Sequence, residues 1–216
     1  MTERSAPRVP VCTLIFVCAA ALVSAGPTAL SDWLALEREA VLTGELWRIW
    51  SGHLWHGGPA LAVWDLAAIA LLGSWIERRS RAELLAALGL GALLSSAAVL
   101  VLRADLASYQ GSSALASALL VTECLRLSGR SQDGFARAAA VLALSGFGIK
   151  VVLESAALWP SPALAGSTAL ESVAVAHLAG ALAGVLVRCT GDRIGQKYRV
   201  FAVGRTTAGR SPRSSG

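Results

Sequence analysis

Six stretches of mostly apolar residues, each bounded by charge, decide most of what this chain can become. They run roughly over 10–26, 60–76, 84–102, 112–127, 136–153 and 170–187. About 20 such residues are needed for a helix to cross the hydrocarbon of a bilayer. Some of the six are short or carry polar residues, the fourth and fifth above all. Of 216 residues, 55% are hydrophobic and 15% charged, too little charge for a soluble domain of this length. Alanine, leucine and glycine dominate, and small residues let helices approach closely in lipid. The expected fold is therefore all-α, a polytopic bundle of six transmembrane helices over residues 10–190. Residues 1–9 form a cytoplasmic amino terminus, and residues 191–216 a basic, unstructured cytoplasmic tail.

The formal net charge of +5 invites a nucleic-acid reading. The basic residues argue against it, because they sit in short clusters between apolar runs, as in the cytoplasmic loops of membrane proteins. Arg4 and Arg8 precede the first run, and Arg78, Arg79 and Arg81 follow the second. Arg126, Arg130 and Arg137 flank the loop between the fourth and fifth, and Arg188, Arg193, Lys197 and Arg199 open the tail. The opposite loops hold only Arg38, Arg48 and Arg103. Both termini are expected in the cytoplasm, which an even number of spans requires. Arg4, Arg8, the apolar run and Val23-Ser24-Ala25 also resemble a signal peptide, whose cleavage would leave five spans. Cys12, Cys18, Cys124 and Cys189 lie in or beside apolar runs, without metal-ligand spacing, and read as small buried hydrophobes. Trp33, Trp47, Trp50 and Trp55 cluster in the long loop over 27–58 and suggest a segment at headgroup level.

Polar groups inside the spans are costly in lipid and each invites a functional hypothesis. They are Asp65, Ser113, Ser117, Lys150, Glu154 and His177. Ser113 follows Gly111-Ser112 at the outer start of the fourth span. A glycine there permits a tight turn, and free N–H groups at a helix start suit a developing oxyanion. Serine in membrane helices also commonly back-bonds to its own helix. His177, Gly180 and Gly184 share one face of the sixth span, and the two glycines make a close-packing surface. A buried neutral histidine with a satisfied partner is the structural alternative. Both Ser113 and His177 fall within about 10 Å of the outer end of their helices, a depth that would let an imidazole serve a nucleophile. Lys150 and Glu154, four apart, read as an intrahelical ion pair, with a Ser113–Lys150 dyad as a catalytic alternative.

Here the sequence resembles the rhomboid intramembrane proteases. Gly111-Ser112-Ser113 is similar to their Gly-x-Ser element, and Ala176-His177 with Gly180 and Gly184 to their histidine-bearing helix. Trp47-Arg48 resembles the pair in their first external loop, and Leu72-Gly73 with Glu77-Arg78-Arg79 the end of their second span. The likeness covers roughly 45–188. It implies a Ser113–His177 dyad with no third acid, cleaving membrane-anchored substrates near the outer face of an inner membrane. It also implies a water-filled cavity roofed by a mobile cap, and no cofactor or metal.

Departures accompany the likeness. The second span of the family usually carries His-x-x-x-Asn for the oxyanion hole, and Leu61 and Asp65 occupy those positions. Asp65 is expected to act as a protonated donor or to orient His177. His56 keeps a place that is histidine in many members and would hold the loop. Ala114 replaces a glycine, and Ser117 a tyrosine that stacks on the histidine. With His53, His56 and Trp64-Asp65, the pattern resembles the rhombosortase branch, which processes Gly-Gly carboxy-terminal sorting tails. Glu77 is expected to bond helix-end groups, and Trp47 and Arg48 to anchor the external loop. Two rival classes are an inactive rhomboid-like protein that binds transmembrane helices, and a small transporter with Asp65, Lys150 and Glu154 as its polar path. No internal repeat supports the transporter.

Overall fold

A computed structural model describes residues 9–103, 105–156 and 174–208. Arg4, Arg8, the first residues of the expected sixth span and the last eight residues of the tail lie outside that range. The chain is mostly helical. Helix α1 spans Val11–Ser24. The external loop folds into α2 (Ala29–Leu34), a two-residue strand β1 (Leu36–Glu37), α3 (Arg38–Leu42) and α4 (Arg48–Ser51). Then come α5 (Pro59–Arg79), α6 (Arg81–Leu102), β2 (Ser108–Tyr109), α7 (Ser113–Arg130), α8 (Gly134–Ser155) and α9 (Ala174–Ala208).

Local chemistry sets these boundaries. Pro59 opens α5, where its missing N–H and fixed φ cost nothing. Ser80 is extended, ends α5 and caps α6 by accepting from Glu83 N at 3.1 Å. The Asp133 side chain caps α8 through Phe135 N. Helix α9 runs on to Ala208 through the stretch expected to be an unstructured tail. That stretch contains no proline before Pro212, and its Arg and Lys side chains are good helix formers.

Among the described residues, four helices are long and apolar enough to cross a membrane: α5, α6, α8 and the first 18 residues of α9. Helix α1 has only 14 residues, and α7 is too polar to qualify by composition. The interior explains α7. It packs on α5, α6, α8 and α9. Its Ala114, Leu115, Ala118, Leu119, Val121, Thr122, Glu123 and Cys124 are buried. A helix covered by protein on every side need not match lipid. The lipid-type surface lies on the outer helices, where Val63, Trp64, Leu71, Leu85, Val101, Phe135 and Leu142 are exposed. So many large apolar side chains facing outward mark a membrane surface.

One core cluster joins α5, α6, α7 and α9 through Ile69, Ile76, Leu84, Ala87, Leu115, Leu119 and Val187. A second holds the external loop to the helix ends through Leu36, Val41, Val99, Tyr109, Ala114 and Ala176. Strands β1 and β2 pair antiparallel, Leu36 with Tyr109 and Glu37 with Ser108. This ties the external loop to the segment just before Ser113. Glu77 anchors α1, accepting from Cys12 N at 2.9 Å, Thr13 N at 2.8 Å and Thr13 Oγ1 at 2.8 Å. It satisfies donors that the start of a helix leaves open, as expected.

Candidate active site

The site begins with a turn. Gly111 has φ +108°, a left-handed conformation that only glycine adopts cheaply. Its N–H donates to Gly52 O at 3.0 Å, and its carbonyl accepts from His53 Nδ1 at 3.0 Å. His53 is buried and its Nε2 lies 3.2 Å from Ser96 Oγ, so it links the turn to α6. Burial pushes the His53 imidazole below its ordinary pKa. His56 holds the next residue, accepting at Nε2 from Ser112 N at 3.3 Å and from Ser112 Oγ at 2.9 Å. Its Nδ1 then carries the proton and donates to Ser24 Oγ at 3.0 Å, which donates to Leu54 O at 3.2 Å. The chain Leu54–Ser24–His56–Ser112 thus fixes the turn from both sides. Because the Ser112 hydroxyl is engaged, no side chain caps α7. Donors of its first turn stay available beside Ser113.

His177 Nε2 lies 2.9 Å from Ser113 Oγ. Two glycines create this approach. A Cβ on Gly180 would stand 2.1 Å from Ala114 O, and one on Gly184 would stand 2.5 Å from Ala118 O. Backbone of α7 and α9 therefore touch directly, with His177 one turn before the contact and Ser113 next to Ala114. Gly180 and Gly184 lie on the contact face between the two helices.

The other ring nitrogen carries the largest difference from expectation. His177 Nδ1 lies 2.7 Å from Glu154 Oε2, and Lys150 Nζ lies 3.2 Å from the same nitrogen. Lys150 also pairs with Glu154 Oε1, so the expected ion pair is present, with the histidine added to it. Asp65 was expected to orient His177 or to donate to an oxyanion. Its Oδ2 lies 3.5 Å from His56 Nε2 and is buried without a hydrogen-bond partner among the described residues. The Nδ1 position belongs to Glu154. Leu61, as expected, offers no donor; its side chain only packs near Gly111. Ser117 back-bonds to Ser113 O at 2.9 Å.

A cavity of about 200 Å³ opens over these groups, lined by Asp65, Ser113, Ser117, Phe147, Lys150 and His177. Beside it stands Tyr109, buried, near Ser113 but outside hydrogen-bond geometry. Burial raises the pKa of its phenol, so it remains a donor. Sequence reasoning missed Tyr109 because it precedes the span, and missed Glu154 as a partner of His177 because the ion pair already accounted for it. Arg48 was expected at the interface and is instead buried. It donates to Asp32 O and Ala35 O at 2.8 Å and pairs with Glu45 at 2.6 Å, holding the external loop from inside. Trp47 and Trp33 remain exposed and tilt together, their ring centroids 6.0 Å apart, whereas Trp55 is buried. Among the described residues no His, Cys, Asp and Glu cluster could hold a metal.

Membrane-spanning helices around a half-buried serine hydroxyl and a buried imidazole define a multi-pass membrane protein with a polar centre inside its bundle. Residues 43–191 match the family model described as the Rhomboid domain, more than half of the chain. The chain therefore belongs to the rhomboid family, whose type is intramembrane proteolysis of membrane protein substrates. None of the curated proteins matches it.

Proposed function

We infer that this chain is an intramembrane serine endopeptidase with Ser113 as nucleophile and His177 as general base. One observation carries the reading: Ser113 Oγ and His177 Nε2 stand 2.9 Å apart at a cavity within the bundle. The imidazole takes the hydroxyl proton as Oγ attacks the scissile carbonyl. The tetrahedral oxyanion forms beside the α7 start, where first-turn N–H groups are the donors on hand and Asp65 lines the same cavity. Collapse breaks the C–N bond, and Nε2 gives its proton to the leaving amine. Water then attacks the Ser113 ester, loses a proton to Nε2, and releases a carboxyl product and free Ser113.

Six spans carry this chemistry, with α1 and α7 as the two that composition alone undercounts. The basic loops lie in the cytoplasm with both termini, and the site faces the outer side of an inner membrane. Substrates are membrane-anchored proteins, and the His53, His56 and Asp65 pattern favours those with Gly-Gly sorting tails, as in the rhombosortase branch.

Cleavage of a Gly-Gly-tailed substrate in cells tests this, with Ser113→Ala and His177→Ala beside wild type. Wild type should cleave, and both variants should stop at normal expression. If wild type leaves this and a generic rhomboid substrate intact, and takes up no fluorophosphonate at Ser113, the protease reading fails.

A further inference from the structure

We propose that Glu154 is the third member of a Ser113–His177–Glu154 triad, with Lys150 as its counter-ion. This rests on the reading of Ser113 as nucleophile. It departs from the two-residue dyad that family resemblance implies. Glu154 Oε2 lies 2.7 Å from His177 Nδ1, while Nε2 lies 2.9 Å from Ser113 Oγ. The three groups stand in line, hydroxyl to imidazole to carboxylate. That order is what orients a catalytic base and stabilises the imidazolium formed when it takes the proton.

The tautomer follows from the distances. Two groups compete for Nδ1: the carboxylate at 2.7 Å and the Lys150 ammonium at 3.2 Å. A carboxylate accepts, so it requires the proton on Nδ1 and leaves the Nε2 lone pair facing Ser113. An ammonium only donates, so in control it would place the proton on Nε2 and abolish the base. The shorter contact is the carboxylate's, and Lys150 is drawn to Glu154 Oε1 as well. The lysine thus compensates the carboxylate without replacing it.

Burial sharpens the assignment. The Glu154 side chain is 1% exposed and that of His177 is 6% exposed, whereas Lys150 keeps 34% exposure. An ion pair that served only to hide two charges along a helix could lie on any face of α8. This one lies against α9 at the imidazole. Asp65, the carboxyl that lines the cavity, lies beside His56 and leaves Nδ1 to Glu154. Glu154 touches neither substrate nor reacting atoms, so it is a positioning residue.

The experiment is the rate of fluorophosphonate labelling of Ser113 against pH, on purified full-length protein in detergent. Wild type is compared with Glu154→Gln, Glu154→Asp and the doubly neutral Lys150→Met/Glu154→Gln. The double variant removes both charges together, so no lone buried ion threatens folding. Glu154→Gln and the double variant should label on the order of 10²–10⁴-fold more slowly. The pH profile of Glu154→Gln should differ from that of wild type, because Nδ1 has lost the acceptor that sets its tautomer. Glu154→Asp should recover part of the rate. A double variant that labels at the wild-type rate, with an unshifted profile, overturns the triad while leaving Ser113 and His177 in place. Absence of labelling in wild type overturns the nucleophile and the triad with it.

Discussion

Gly180→Ala tests the geometry at its tightest point. The added Cβ would stand 2.1 Å from Ala114 O, 2.9 Å from Ala114 C and 3.3 Å from Ala114 Cα. These are backbone atoms of a buried helix, so no side chain can swing aside. Helices α7 and α9 must separate by about 1 Å before the contact clears even the shortest tolerated approach. The displacement falls one turn from His177 and next to Ser113, whose 2.9 Å contact would open towards 4 Å, beyond hydrogen-bond range. Misplacement of about 1 Å can cost on the order of 10²-fold in rate. Forcing a methyl into packed backbone should also destabilise the bundle by about 1–3 kcal/mol. Gly89→Ala on α6 is the control, since a Cβ there meets nothing within 4 Å. There alanine should be neutral or stabilising by up to about 1 kcal/mol. Fluorophosphonate labelling of Ser113 and thermal unfolding in detergent read both effects. Gly180→Ala that labels and melts like wild type would refute the close-packing argument.

Three further outcomes follow from other contacts. Glu77→Gln replaces a carboxylate that serves three donors of α1 with an amide that confronts some of them, and should cost roughly 2–4 kcal/mol. The melting temperature should fall while the Ser113 labelling rate below it holds, because Glu77 lies about 18 Å along α5 from Asp65. His53 is held neutral by burial, with its pKa below the ordinary imidazole value of about 6.5. The unfolded chain therefore binds a proton that the folded one refuses, and stability present above about pH 6.5 is lost as pH falls below it. His53→Gln should flatten that acid limb of the melting temperature, and an unchanged limb would place its origin elsewhere. Asp65→Asn keeps a donor at the cavity and should retain cleavage, whereas Asp65→Leu should lower it by on the order of 10²-fold. Equal cleavage by both would remove Asp65 from the oxyanion site.

What could be read before folding was what the chain encodes locally. Gly111 needs its left-handed turn wherever the helix behind it packs, and Gly180 and Gly184 mark a close face by spacing alone. Glu77 beside Arg78 and Arg79 announces a helix end. What escaped depends on neighbours. Helix α7 fails as an apolar span on composition, yet it meets four other helices instead of lipid, so its polar residues need not face hydrocarbon. Arg48 reads as an interface cation until Asp32 O, Ala35 O and Glu45 surround it.

Glu154 escaped for a subtler reason. Its i, i+4 lysine offered a complete local explanation, and a satisfied charge asks for nothing more. Only the docking of α8 against α7 and α9 brings a third group to the pair. An imidazole between a hydroxyl and a carboxylate needs residues from three helices far apart in sequence, here 113, 154 and 177. Spacing along one helix can predict which residues share a face. Whether that face meets another helix's histidine is decided by packing, here by the glycine contacts that let α9 press on α7. The same close approach that brings His177 to Ser113 thus makes room for a carboxylate behind it.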